Sequence, residues 1–252
     1  MGTVIIQEHT TKNPITLIGE QAGICWGADT SNAEKNYKRG LECLSNNHGR
    51  TLEFPDVYMI LDGYSARVIR EWYTHIGGAP TRLQASTRYI DYSKGEGFDF
   101  IHPHWDSGML LEYQAQMHEV NKVIQKLEEQ GAKREDTALL LPLGMTTKVA
   151  CKHNSRNLID MSHQRMCTRA YWEYRQLFND LCNALIAYSE EWAYLVKHYF
   201  KPKCEVCGFC TEKYTCGRMP SKEELQAAMM IASKWVPEGS AKQIIDRFRK
   251  IL

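Results

Sequence analysis

Apolar residues recur at intervals of three and four through much of the chain and alternate only in short runs, a pattern that predicts long helices around a small sheet. Met109, Tyr113, Met117, Val120, Ile124 and Leu127 form one stripe on a helix expected over residues 105–130. From 154 to 200 the pattern is helical almost throughout, with a break near Cys167 and Thr168, where Thr168 is suited to cap a second helix. SARVIREWYTH (65–75) reads as a helix with Val68 and Trp72 one turn apart, and SNAEKNYKRGLECLSNN (31–47) opens with Ser31 and Glu34 in capping-box spacing. Strands are expected at 3–10, at 15–19, in EFPDVYMILDG (53–63) and in TTKVAC (146–151). Strands and helices do not alternate regularly, so the predicted class is α+β, a mainly antiparallel sheet packed with long helices. The chain divides into a main domain, 1–200, and a small Cys-rich, helical extension, 201–252. In the extension, SKEELQAAMMIASKW repeats the capping-box spacing at Ser221 and Glu224, and an amphipathic helix is expected over 241–252.

A 252-residue chain that is 43% hydrophobic can bury a substantial core. Its 31 basic and 30 acidic side chains leave a formal charge of +1, so anion binding has to be local, and nucleic acid and membrane are not expected partners. No apolar run is long enough to cross a bilayer, and MGTVIIQEHTTKN lacks the basic and apolar regions of a signal peptide. Ile6 also breaks the myristoylation pattern behind Gly2, so the expected location is cytoplasmic.

In that compartment the crowding of Cys204, Cys207, Cys210 and Cys216, at spacings of two, two and five, suggests metal or redox chemistry rather than disulfides. Four thiolates suit a structural zinc ion; an iron–sulfur cluster or metal-free thiols are the alternatives. With Lys201, Lys203, Lys213 and Arg218 nearby, a zinc-containing nucleic-acid-binding protein is a competing reading, against which the near-neutral charge weighs.

Two stretches offer chemistry. In PTRLQASTRYIDYS (80–93), hydroxyls beside Arg88 can hold a phosphate, but S-x-R-Y is too short to separate an anion loop from an arginine on a strand end. In NSRNLIDMSHQRMCTRAYWEYRQ (154–176), Arg165 and Arg169 are four apart and can project from one helical face, while His163 reads as a structural histidine.

These pieces occur in an order that resembles the flavin-dependent thymidylate synthases over roughly 22–195. LPLGMTTKVACKHNSRNLIDMSHQRMCTRAYWE (141–173) is similar to the family's L-P-L, N-x-R-x-L and R-x-x-x-x-A-x-W-E landmarks. QASTRY resembles the end of its signature, and NNHGRTLEF its G-H-x-(S/T)-x-x-E-H region. The resemblance implies methylation of deoxyuridylate to thymidylate with FAD, methylenetetrahydrofolate and NADPH, in a homotetramer with active sites between subunits. It implies deoxyuridylate contacts from Glu71, Gln84, Ser86, Thr87, Arg88, Lys148 and Arg165. The resemblance implies that Arg165 stabilises charge on a pyrimidine carbonyl, which makes it the first catalytic candidate, with Ser86 as a positioning hydroxyl. FAD contacts are implied for His48, His75, Asn154, Arg156, Asp160 and Arg169.

Lys148 stands where the family often has an arginine and Arg169 where a histidine is common, and the largest departures fall in one stretch. Where the signature begins R-H-R, this chain has THIGGAPTRLQ, in which His75 alone matches, two residues are inserted, Leu83 replaces an asparagine and Gln84 a glutamate. That change motivates two alternatives within the family, a related one-carbon product such as hydroxymethyl-deoxyuridylate and an inactive homologue used for assembly.

Overall fold

The computed structural model describes residues 2–235. In chain order its elements are β1 (Thr3–Ile6), α1 (Pro14–Cys25), α2 (Ala33–Ser45), β2 (Asp56–Ser65), α3 (Ala66–Trp72), β3 (Thr81–Gln84), α4 (Ser107–Glu129), α5 (Arg134–Thr137), β4 (Thr146–Asn154), α6 (Ser155–Arg165), α7 (Trp172–Tyr188), α8 (Glu190–Tyr199), α9 (Lys203–Cys207) and α10 (Lys222–Trp235). Short 3-10 turns occupy Gly49–Glu53 and Ala138–Leu140. The sheet runs β1-β2-β4-β3 with every pair antiparallel, so the α+β expectation holds. No helix of the described residues is long and apolar enough to cross a membrane.

Alternation sorts the two faces of the sheet. Val57, Met59 and Leu61 of β2 and Val149, Cys151 and His153 of β4 point into the main core, where they join Tyr174, Leu177, Phe178 and Leu181 of α7. A register shift between Asp62 and Tyr64 is taken up at Gly63, whose φ of 78° suits glycine. Beyond it, Tyr64 and Ser65 are both buried. Ser65 caps α3, its Oγ accepting from the Val68 N–H at 3.1 Å, and the buried Glu173 carboxylate accepts from the Ser65 N–H at 2.6 Å and Oγ at 2.5 Å. The strand, the helix that leaves it and α7 are thereby tied at one point.

Helices α1 and α2 cross without room for a side chain. A Cβ on Gly19 would meet the Asn36 carbonyl oxygen at 1.8 Å, and one on Gly40 the Ile15 oxygen at 2.0 Å. Gly40→Ala is therefore expected to lose about 1–3 kcal/mol despite alanine's better helix propensity, because the obstacle is backbone. Urea unfolding of the variant tests this, and unchanged or increased stability would refute it.

Several expectations need correction. Residues 15–19 are helical: Pro14 opens α1, and Ile15 and Ile18, three apart, are both fully buried on its inner face. The cap of α2 is Asn32, whose Oδ1 accepts from the Lys35 N–H at 2.9 Å, while the Ser31 N–H is held by Asp29. The first strand stops at Ile6. Residues 154–200 resolve into three helices, and Thr168 caps none of them; α7 begins at Trp172 after Tyr171. The Ser221–Glu224 box does form, with reciprocal bonds of 2.6 and 3.1 Å. On α4 the stripe is covered only toward its C-terminal half, where Ile124 joins Phe98 and Met145; Met109 is 52% exposed. Residues 241–252 lie outside the described ones.

Candidate functional site

Helix α6 starts at Asn154, whose Oδ1 accepts from the Asn157 N–H at 2.8 Å, and delivers Arg165 at its C-terminal end. There the guanidinium is pinned on three sides. Nε donates to His75 Nε2 at 2.9 Å, Nη1 meets Glu71 Oε2 at 2.9 Å, and the plane lies over the Tyr174 ring, 4.4 Å from its centroid. Glu71 comes from α3 and His75 from the turn behind it, so the capping of α3 by Ser65 sets where both stand. Burial, reinforced by Arg165 and Arg82, pushes His75 down to about 4, which keeps its ring neutral and able to accept from the arginine. The Tyr174 hydroxyl is buried and has no hydrogen-bond partner among the described residues.

Trp72, stacked against Tyr174, opens a hydrogen-bonded chain through His153 to Asn157. Trp72 Nε1 donates to His153 Nε2 at 3.0 Å, and His153 Nδ1 lies 2.6 Å from Asn157 Oδ1, an arrangement that a neutral, Nδ1-protonated ring satisfies on both sides. Burial holds His153 down to about 4. Arg82 reaches the Trp72 and His75 carbonyls at 3.3 Å each and stacks on Tyr73. It thus braces the loop that replaces the signature's first arginines.

The Ser86–Arg88 segment is a tight turn beyond β3: the Arg88 N–H donates to Ser86 Oγ at 3.2 Å, and the Ile90 N–H to the Ser86 carbonyl at 3.1 Å. Arg88 projects into solvent and meets Glu135 at 3.4 Å. Neighbouring Arg134 bonds Asp91 at 2.9 Å, and Thr87 lies in the crevice between these residues and α4. Gln84 approaches Thr147 at 3.4 Å. Lys148 is on the outer face of β4, paired with Asp62 at 2.6 Å, away from the inward-facing residues beneath Arg165.

The flavin candidates divide. Asn154 receives the Gly78 turn so closely that a Cβ there would sit 2.3 Å from its Nδ2, and Gly78 has a φ of 70°. Arg156 pairs with Glu53 at 2.6 Å beside the turn that His48 opens. Gly49 of that turn lies close to the Arg156 guanidinium, whereas Asn154 is buried. Asp160 is exposed, and Arg169 points instead to Glu212 of the extension at 3.4 Å. One chain therefore assembles Glu71, His75 and Arg165 at one point and leaves the Ser86–Arg88 turn, Lys148 and Arg156 as separate surfaces.

Sequence reasoning missed Tyr174, Trp72, His153 and Asn157 as supports; the aromatic after W-E in AYWEYR was the available signal for Tyr174. All nine cysteines are free thiols, and among the described residues no three His, Cys, Asp or Glu side chains converge to hold a metal. The expected set of Cys204, Cys207, Cys210 and Cys216 is not assembled among the described residues, and the Cys207 thiol donates to the Phe209 carbonyl at 3.2 Å.

A family model described as thymidylate synthase complementing protein matches residues 6–188. A flavin-dependent thymidylate synthase of Nitratidesulfovibrio vulgaris is 25% identical over 195 residues, 72% of this chain and 76% of that protein. One of Clostridium tetani is 24% identical over 252 residues, covering 89% of this chain and 97% of that protein. In structure, the chain is similar to thymidylate synthase X of Helicobacter pylori, crystallised with FAD and dUMP, at a TM-score of 0.65 and 19% identity over 79% of this chain and 99% of that one. That likeness establishes the shared fold.

Proposed function

The chain belongs to the thymidylate synthase complementing proteins, the family of the flavin-dependent thymidylate synthases, and from that premise we propose that it converts deoxyuridylate to thymidylate with FAD, methylenetetrahydrofolate and NADPH. The observation that carries the reading is Arg165, oriented by a neutral histidine, a carboxylate and an aromatic face at the end of a buried helix. A guanidinium held in this way is ready to stabilise negative charge on a uracil carbonyl without reorganising. Ser86, Thr87 and Arg88 bind the phosphate through hydroxyl, backbone and guanidinium donors. Gln84 adds an uncharged hydrogen bond in place of a carboxylate. His48, Asn154 and Arg156 would hold the flavin, whose chemistry when bound would be hydride transfer. His75 and Glu71 serve Arg165, and we assign Arg169 to the extension rather than to the cofactor.

The separation of these surfaces on one chain, together with the half-uncovered α4, supports a homotetramer in which a neighbouring copy completes each site. We take 1–200 as the catalytic unit and 201–252 as an appendage, working in the cytoplasm. Anaerobic absorption spectra of the purified protein with FAD, then NADPH, then deoxyuridylate test the reading: a flavin band that bleaches and responds to nucleotide supports it, with thymidylate as the product. A failure to bind FAD refutes it, and a hydroxymethyl product would replace the methylation step.

The Arg88–Glu135 pair yields a smaller expectation. Both side chains are exposed, and the carboxylate competes with the substrate phosphate for the guanidinium. Glu135→Gln is expected to lower KM for deoxyuridylate by about two- to threefold, the scale of a surface ion pair, with kcat unchanged. A raised KM in steady-state kinetics would show that Glu135 assists binding instead.

A further inference from the structure

Apolar side chains stand in register across the outer face of the sheet. Val4 and Ile6 of β1, Met59 and Leu61 of β2, and Val149 and Cys151 of β4 pack on the main core, so the residues between them point the other way. On β3 the inward residue is Arg82, stacked on Tyr73. The outward residues are Cα partners of one another: Ile5 with Ile60, Ile60 with Ala150, and Ala150 with Leu83, one row across all four strands. Leu83 is 73% exposed and Ile5 50%; Ala150 is exposed too, and Ile60 is half-buried. A sheet that resists association places charges outward on its edge strands, whereas here both edges carry an exposed aliphatic side chain.

Polar pairs bound the row on both sides. Toward one end of the strands Asp62 and Lys148 are partners, joined at 2.6 Å. Toward the other Tyr58 and Lys152 are partners, with the ammonium 5.8 Å from the ring centroid and 2.7 Å from Asp56. In each pair the lysine belongs to β4 and its acidic or aromatic partner to β2. A two-fold axis parallel to the strands, midway between β2 and β4, lays β2 of one copy over β4 of another without shifting residues along the strands. Asp62 then faces Lys148 of the second copy, Tyr58 faces Lys152, Ile60 faces the small Ala150, and Ile5 faces Leu83. An axis running across the strands would instead set Lys148 over Lys152, so charge complementarity selects the first arrangement.

We propose that the outer sheet face binds a second copy of this chain, sheet on sheet about that two-fold axis, in the aligned packing of a β-sandwich with the sheets about 10 Å apart. The aliphatic row is then covered from edge to edge, and the Asp62–Lys148 pairs of the two copies close into a ring of four alternating charges. Association through this face needs neither flavin nor nucleotide, so it stands or falls apart from the thymidylate reading.

Light scattering on the full chain, without flavin or nucleotide, reads the native mass. The unaltered chain is expected to form an assembly of an even number of copies, and Leu83→Asp, which alters an exposed side chain, to halve that mass with an unchanged circular dichroism spectrum. Sedimentation then tests the axis. Lys148→Asp and Asp62→Lys each set like charges against one another and are expected to weaken association by about tenfold or more. The double variant Asp62→Lys/Lys148→Asp keeps the alternation with its signs reversed and is expected to restore association. Should Leu83→Asp not fold, the reversal series still decides. A monomeric unaltered chain, whose sheet face then serves some other occupant, would overturn the proposal. So would an odd number of copies, a folded Leu83→Asp of full mass, or a double reversal that associates no better than the singles.

Discussion

Replacing Arg165 by lysine is expected to lower kcat for thymidylate formation by about 10²–10³-fold, the cost of removing a preorganised donor from developing charge. The size follows from geometry. Arginine holds Glu71 through one nitrogen and His75 through another while its plane rests on Tyr174, and a lysine ammonium cannot reproduce that fork. Glu71 would then stand without its partner. The effect should fall on kcat more than on KM, because the interaction strengthens as charge develops, and FAD reduction by NADPH in the absence of nucleotide should proceed normally. Single-turnover kinetics separate these steps. A loss of less than about tenfold would mean that the carbonyl is stabilised by another group.

Acidification is expected to unfold the chain earlier than its carboxylates alone would require, with His153 and His75 as the causes. The His153 imidazole is fully buried between Trp72 and Asn157, and burial holds it down to about 4 from an ordinary 6.5. Between those values the unfolded chain binds a proton that the folded chain refuses. Stability is therefore fully present above pH 6.5 and falls as pH drops toward 4, by about 3 kcal/mol from this group. His75 shifts in the same direction and steepens the same window. Denaturant unfolding at a series of pH values should show that slope, and His153→Gln, which cannot titrate, should flatten it while costing some stability at pH 7. An unchanged slope in the variant would assign the acid sensitivity elsewhere.

How much was legible in the sequence depended on the range of the forces involved. Helix α10 was readable to its cap because Ser221 and Glu224 bond each other locally. Residues 15–19 were misread because ITLIG carries β-favouring side chains, and only the tertiary burial of Ile15 and Ile18 on one face, with Gly19 and Gly40 admitting α2, makes it a helix. The candidate site divided in the same way. Arg165 stood in a gapless landmark segment, but its partners Glu71, His75 and Tyr174 arrive from other elements, and no local spacing marks a guanidinium for a ring that lies across the core.

The strand order carries a consequence for synthesis on the ribosome. β1 and β2 can pair as soon as both have emerged, but the other edge of β2 and the whole of β3 wait for β4, which is made last and lies between them. Until residues 146–154 leave the exit tunnel, the nascent chain carries an open edge whose side chains include Val57, Met59 and Leu61, a surface prone to mispairing with other chains. Slowed elongation between β2 and β4 would lengthen that exposure, so chaperone dependence during translation should track the delay before β4 appears rather than the stability of the finished fold.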